Sequence, residues 1–211
     1  MEPVGLLIFT LLPAAFWFWL FARRDVHPEP AWLLWRTFAY GALSWALAAA
    51  LELSVTVVAS GVLMMLLVAF VEESVKLLAA STATRDREFD EPIDGLIYAV
   101  TASLGFAFVE NIAYGLQYGL EVAAYRGLVT TLAHALFSAP LGYALAGARF
   151  ATGRWWRTRG LVIAVTLHVT FNGLLTGGAG WEQLLALVGV LALMYALAGR
   201  LYARLEVQRK R

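Results

Sequence analysis

The sequence predicts an all-α, polytopic transmembrane bundle of about seven helices, with the N-terminus outside the membrane and the C-terminus inside. Of the 211 residues, 61% are hydrophobic and 15% are charged, whereas soluble domains have roughly 45–50% apolar and about 25% charged residues. The apolar residues form long runs, unlike the short alternating segments of barrel strands. We therefore expect residues 1–211 to form a single membrane domain.

The length of each apolar run predicts the individual spans. A spanning helix needs about 20 mostly apolar residues, because the hydrocarbon core is ~30 Å thick and each residue rises ~1.5 Å. The weakest boundary lies between the second and third spans, where only Glu52, Leu53 and Ser54 interrupt the apolar sequence, and a single kinked hairpin or a shifted turn is the alternative there. Glu52 is therefore expected at an outer helix end, in contact with water. The predicted spans are residues 4–22, 31–51, 55–82, 92–118, 123–150, 160–176 and 181–203.

The basic residues predict the orientation, because Lys and Arg are enriched in cytoplasmic loops. With the N-terminus outside, all of the 16 basic residues except Arg126 and Lys76 fall on the inner side. With an even number of helices, the basic residues would no longer fall on one side of the membrane. These charges are explained by membrane topology and, with a net charge of +1, they give no indication of nucleic-acid binding. The inner set is Arg23, Arg24, Arg36, Arg85, Arg87, Arg149, Arg154, Arg157, Arg159, Arg200, Arg204, Arg209, Lys210 and Arg211.

Ionisable and amide side chains inside the predicted spans carry the functional information. An ionised side chain at the bilayer centre costs about 2.5–3.5 kcal/mol even on the lenient insertion scale. Such groups must therefore face one another or a wet cavity. The residues concerned are Glu72, Glu73 and Lys76 in the third span, Glu110 and Asn111 in the fourth, His134 in the fifth, and His168 and Asn172 in the sixth.

Helical spacing predicts which of these groups share a face. Glu72 and Lys76 are four residues apart, in the favourable order of acid before base, and His168 and Asn172 have the same spacing. Taken alone, a Glu–Lys pair is explained equally well by a structural ion pair that fixes the helix register and by a functional site. A lone His or Asn is most often an interhelical hydrogen-bonding residue. Because four helices each contribute such residues, the set together favours a functional site.

The residue types suit the activation of water. The chain has no cysteine, so thiol catalysis, disulfides and a cysteine zinc site are excluded. A Glu in a pocket of low dielectric can act as general base and acid, and a His–Asn pair can donate hydrogen bonds to a developing oxyanion. Alternatively, Glu73, His134 and His168 could ligate zinc while another Glu acts as base.

Three short motifs occur in order, each inside a predicted span: Glu72-Glu73-x-x-Lys76, Phe106-x-x-x-Glu110 followed by Asn111, and His168-x-x-x-Asn172. Over residues 55–178 this set resembles the PrsW family of intramembrane proteases. The resemblance implies an endopeptidase of the bacterial plasma membrane, acting on a membrane protein or a membrane-tethered peptide such as an anti-sigma factor. The CAAX prenyl endoproteases of the same superfamily have Phe-x-x-x-His where this chain has Glu110.

The resemblance implies roles for the polar residues of the motifs and for one histidine between them. Glu72 or Glu73 would be the base that activates water, and Lys76 would orient or neutralise a Glu. His168 and Asn172 would polarise the carbonyl, and the other residues would complete the site. A proton-coupled transporter or a non-catalytic membrane scaffold could use the same pocket. The candidate catalytic set is Glu72, Glu73, Lys76, Glu110, Asn111, His134, His168 and Asn172.

Overall fold

A computed structural model describes residues 3–23, 25, 27–152, 154–177 and 180–209. Within these residues the chain forms seven α-helices and no strand, which confirms the all-α prediction. A short 3₁₀ turn, Ala83–Arg85, follows the third helix. The helices are α1 Pro3–Ala22, α2 Ala31–Val58, α3 Gly61–Ser81, α4 Asp94–Tyr118, α5 Leu120–Phe150, α6 Trp156–Thr176 and α7 Trp181–Arg209.

The lengths of these helices agree with a polytopic membrane protein. Six of them are long and apolar enough to cross a membrane, judged by length and composition alone. The remaining one, α3, has 21 residues and contains Glu72, Glu73 and Lys76, which are all buried. The outside location of the N-terminus stays a prediction from the basic residues.

The predicted boundary at Glu52–Ser54 is wrong, whereas the alternative of a shifted turn agrees with the structure. Helix α2 continues past Glu52 to Val58, and α3 begins at Gly61. Glu52 lies within α2 rather than at its end, and its side chain is half-buried and faces a cavity between the helices instead of being fully exposed. The turn instead falls at Gly61, whose φ of 58° lies in the left-handed region that glycine adopts without steric cost.

Helices α4 and α5 form the centre of the bundle. Most of their residues are buried, whereas most of α1, α2 and α7 faces outward. The central pair is linked by a turn at Gly119, with a φ of 100°, so the two helices run antiparallel. Helices α2, α3 and α6 pack around this pair and carry the remaining polar residues toward it.

Backbones of α2 and α4 approach each other closely at two glycines. A Cβ on Gly41 would lie 1.9 Å from the carbonyl oxygen of Ala102, and one on Gly105 would lie 2.1 Å from that of Phe38. These contacts leave no room for a side chain. They fix the height of α4 against α2, and with it the position of Glu110.

Substitution of Gly105 with alanine is expected to lower the free energy of unfolding by about 1–3 kcal/mol, because two helix backbones must separate to admit the methyl group. Thermal unfolding of the detergent-solubilised protein measures this effect. Gly189→Ala in α7 is the matched control, since nothing lies within 4 Å of the added Cβ. Equal midpoints for the two variants would show that the α2–α4 contact is not tight.

Candidate functional site

A cavity of about 200 Å³ lies among helices α2 to α6. It is nearer the end of the bundle where the α2–α3, α4–α5 and α6–α7 connections lie. Apolar walls come from residues such as Trp45, Phe106 and Phe171. Its polar lining is contributed by five helices and consists of Glu52, Glu72, Glu110, Tyr114, Arg126, Thr130, His134, His168 and Asn172.

Lys76 lies at the centre of the polar network. Its Nζ is 3.1 Å from Glu72 Oε2, 2.9 Å from Glu73 Oε1 and 2.9 Å from His134 Nδ1. The side chain is 1% exposed, and Nζ also lies 4.2 Å from the centroid of the Phe106 ring. An ammonium group has three donors, and here each one has an acceptor. Lys76 therefore joins α3 to α5 and fixes both carboxylates of its own helix.

The contact with Lys76 determines the tautomer of His134. An ammonium group cannot accept a hydrogen bond, so His134 Nδ1 must be the acceptor. A neutral imidazole then carries its proton on Nε2, which donates to Glu110 Oε2 at 2.9 Å. This assignment follows from the hydrogen-bond network. His134 thus links the carboxylate of α4 to the ammonium group of α3, and both of its ring nitrogens are engaged.

His168 is oriented by Glu73. Its Nδ1 donates to Glu73 Oε1 at 2.9 Å, and its ring stacks on Phe137 with a centroid distance of 4.6 Å. A carboxylate that fixes one nitrogen of a histidine leaves the other available for a metal or a substrate. Glu73 itself is fully buried and does not line the cavity, whereas His168 does.

Arg126 is a member of the site that the sequence did not predict. One guanidinium nitrogen lies 2.6 Å from Glu110 Oε2, and Nε donates to Asn111 Oδ1 at 3.1 Å. The guanidinium group also lies 3.7 Å from the centroid of the Tyr114 ring. The signal was present, since Arg126 is an exception to the inside location of basic residues. It also lies almost opposite Glu110 across the turn at Gly119.

The two asparagines of the motifs have different surroundings. Asn111 is fully buried, where it donates to Thr131 Oγ1 at 2.9 Å and accepts from Thr130 Oγ1 at 3.1 Å. It does not line the cavity and instead holds α4 against α5. Asn172 lines the cavity one helical turn from His168. Of the two, Asn172 is therefore the one that a substrate could contact.

The carboxylates and histidines form two sets of three donors, each with its ligand atoms within 4.8 Å of one another. One set is Glu72, Glu110 and His134, and the other is Glu72, Glu73 and His168. The predicted zinc set of Glu73, His134 and His168 is therefore divided between them. Glu72 belongs to both.

The chain is similar to known proteins over the region that contains these residues. A family model described as PrsW family intramembrane metalloprotease matches residues 29–199. The chain belongs to this family. The matched region contains every polar residue of the cavity, and no solved structure matches the chain. Membership of an intramembrane family, together with six apolar helices, makes this a multi-pass membrane protein, as the sequence predicted.

Curated relatives carry the same family name. Protease PrsW of Geobacillus kaustophilus (strain HTA426) is 37% identical over 131 residues, which are 61% of this chain and 58% of the relative. Protease PrsW of Bacillus subtilis (strain 168) is 36% identical over 116 residues, 53% of each chain. The chain thus spans little more than half the length of these two relatives. With Protease PrsW of Shouchella clausii (strain KSM-K16) the identity is 29% over 203 residues, 92% of this chain and 94% of the relative.

The family description implies a metal, and one of the two donor sets fits a metal better. Glu73 Oε2 is buried and has no hydrogen-bond partner within the described part of the chain, which is costly for a carboxylate oxygen. Both nitrogens of His134 are engaged, whereas only Nδ1 of His168 makes a hydrogen bond to the protein among the described residues. The set of Glu72, Glu73 and His168 therefore fits a metal better, provided that His168 Nδ1, which faces Glu73, exchanges its hydrogen bond for the ion.

Proposed function

We propose that the chain is an intramembrane endopeptidase, which hydrolyses peptide bonds of membrane proteins or membrane-tethered peptides by activating water. The single observation that carries this proposal is the buried network of Glu72, Glu73, Lys76, His134 and His168, which meets a polar cavity inside an apolar bundle. Membership of the PrsW family supports the same conclusion.

Glu72 is the proposed base. It lines the cavity, whereas Glu73 does not. Lys76 contacts Glu72 through Oε2, which leaves Oε1 to accept a proton from water. The water oxygen then bonds to the carbonyl carbon, the carbon–nitrogen bond breaks, and the proton passes from Glu72 to the leaving amine. General acid–base catalysis of this kind contributes roughly 10²–10⁴-fold to the rate.

The protonation of His168 separates two forms of the mechanism. If His168 is neutral, its proton is on Nδ1, because that atom donates to Glu73. Nε2 then has a lone pair and cannot donate to an oxyanion. If His168 is protonated, Nε2 can donate to the oxyanion together with the amide of Asn172. The second form suits a metal-free enzyme. A metal that is also held by Glu73 would bind His168 through Nδ1, because Nε2 lies on the far side of the ring from Glu73, and the imidazole proton would then be on Nε2.

In the metal-dependent form, Glu72, Glu73 and His168 would hold a zinc ion. Bound zinc polarises a carbonyl and lowers the pKa of water to about 7. Glu73 would bind through its unpartnered Oε2, and His168 would bind through Nδ1 in place of its hydrogen bond to Glu73 Oε1. Glu110, held by Arg126 and His134 through Oε2, is the carboxylate then left to accept the proton.

The substrate is expected to enter from the outer side. The cavity lies toward the connections after α2, α4 and α6, and these face outward in the orientation that the basic residues predict. A peptide bond near the outer face of a membrane-tethered protein would reach the cavity most directly. An anti-sigma factor is a substrate of this kind. The resemblance of the three motifs to the PrsW family implies such a substrate.

Reconstitution with membrane-tethered peptides tests the proposed function. We expect cleavage by the purified protein in liposomes, loss of cleavage after a strong chelator, and recovery with zinc. Circular dichroism before and after chelation shows whether the fold is retained. Cleavage that persists after chelation would contradict the metal-dependent form and favour the metal-free one.

A proton-coupled transporter is the second candidate. The observation in its favour is the chain of hydrogen bonds from Glu110 through His134 and Lys76 to Glu73, since such chains also conduct protons. Proton flux that depends on a solute, without peptide cleavage, would replace the proposed function. A non-catalytic scaffold would show peptide binding with neither cleavage nor flux.

Substitution of Arg126 with glutamine is expected to lower kcat roughly 10–100-fold, because outer residues that orient catalytic groups have effects of this size. The change should leave KM nearly unaltered, since Arg126 acts through Glu110. Arg126→Lys restores the charge and should recover part of the activity. Arg157→Gln, at an exposed residue near the start of α6, is the matched control. A rise in KM alone would indicate that Arg126 binds substrate directly.

A further inference from the structure

Glu52 is an acidic residue of the cavity wall that the proposed reaction does not use. Apart from Arg36 near the start, it is the one charged residue of α2. Its neighbours Leu53, Val57 and Val58 are 72%, 83% and 75% exposed, as expected of a helix end that faces lipid. A charge at this position is costly in a membrane protein unless it faces an aqueous space or a counter-charge.

Glu52 faces the polar cavity. Trp45, Ala49 and Glu52 all line it, and their spacing of four and three residues places them on one side of the helix. At ~1.5 Å per residue, Glu52 lies about 9 Å from the end of α2, and Glu72 lies about 17 Å inside α3. Glu52 is therefore closer than the proposed base to the end of the bundle with the α2–α3 connection. With the proposed entry of substrate from the outer side, this end is the mouth of the cavity.

Glu52 differs from the other carboxylates of the cavity in its electrostatic surroundings. Glu72 is paired with Lys76, and Glu110 is paired with Arg126 and His134. Within the residues that the structure describes, no ion pair or hydrogen bond joins the Glu52 carboxylate to another side chain. The α2 side of the cavity mouth thus has a carboxyl group with no cationic partner among the described residues.

We propose that Glu52 selects substrates that have a lysine or arginine close to the cleaved bond. This inference rests on the proposed function and specifies its substrate class. A peptide that reaches Glu72 must pass the mouth, so one of its side chains lies beside Glu52. A basic side chain there completes an ion pair in a half-buried setting, whereas an acidic one meets a like charge.

Cleavage of matched peptides tests the proposal. The peptides are membrane-tethered and identical except for one residue, which is Lys, Gln or Glu at each position around the cleaved bond in turn. We expect one position at which kcat/KM for Lys exceeds that for Glu by on the order of tenfold or more. Glu52→Gln should bring this ratio close to one, and Glu52→Lys should invert it. Glu121→Gln, at an exposed carboxylate of α5, should leave the ratio unchanged.

The ratio is measured on one preparation, so a loss of folded protein does not alter it. An unchanged ratio in Glu52→Lys, or no position with a Lys preference in the unmodified protein, would overturn the proposal even though peptides are cleaved. A ratio that moves only when zinc is added would show instead that Glu52 binds metal.

Binding gives a readout that is independent of hydrolysis. Glu72→Gln protein keeps Glu52 and should bind a fluorescent Lys peptide more tightly than the matched Glu peptide. The double variant Glu52→Lys/Glu72→Gln should prefer the Glu peptide. If the first variant showed no preference, the specificity proposal would fail, whereas absence of cleavage by the unmodified protein would concern the proposed function alone.

Discussion

Replacement of Glu72 with glutamine is expected to lower kcat/KM for peptide cleavage by roughly 10³-fold or more, within the range for loss of a general base. Glutamine has the same shape and can still accept the hydrogen bond that Lys76 donates to Glu72 Oε2. It cannot accept a proton from water, and it is a poorer metal ligand. Initial rates with a membrane-tethered peptide, at equal amounts of folded protein, measure the loss.

The control for this substitution is Glu121→Gln, which removes a carboxylate from an exposed residue of α5 outside the cavity. Its rate should match that of the unmodified protein. Activity of Glu72→Gln above about one tenth of normal would be too high for loss of a general base. Glu73→Gln would then be expected to be the inactive variant, although Glu73 is buried and does not line the cavity.

The helices and most of the site were predictable because a membrane imposes strong constraints on a sequence. Each apolar run had the length of a span, and charged residues inside a span must meet a partner or a cavity. The spacing of Glu72 and Lys76 placed them on one face, and their side chains are 3.1 Å apart. The same reasoning predicted that His134 and His168 come close to the acidic residues.

Residues near helix ends were harder to interpret. The sequence predicts that Glu52 lies in water at a helix end, because a polar residue near a span boundary usually marks the interface. A polar residue near a span boundary can also face a polar cavity inside the bundle, as Glu52 does, so this sequence signal has two explanations. In the pattern of basic residues, Arg126 is only an exception to their location on the inner side. Its pairing with Glu110 depends on how α4 and α5 align about Gly119, which composition does not reveal.

Sequence reasoning also could not separate the roles of similar residues. Glu72 and Glu73 are adjacent, and only the packing against α6 shows that Glu73 orients His168 while Glu72 faces the cavity. Asn111 and Asn172 both follow a motif pattern. Asn111 is enclosed by Thr130 and Thr131, which a pattern within one helix cannot predict.

Substitution of Lys76 with methionine is expected to have the largest effect on stability. The side chain is 1% exposed and contacts Glu72 and Glu73, so its removal leaves two buried carboxylates without their cation. Breaking a buried ion pair by removing one partner costs about 3–5 kcal/mol. Methionine is similar in length and unbranched, so little of this cost would come from a cavity. Unfolding of the protein in mixed micelles by a denaturing detergent measures the change.

A double-substitution cycle identifies the cause of that loss. In Lys76→Met/Glu73→Gln one of the uncompensated carboxylates becomes neutral, so the double variant should be more stable than Lys76→Met alone. The two changes should therefore be strongly non-additive, as expected for residues in one network. Gly189→Ala provides a reference, because its surroundings are open. Additive effects of the two substitutions would mean that Lys76 stabilises the bundle through packing against Phe106, and that the buried carboxylates are balanced by other groups.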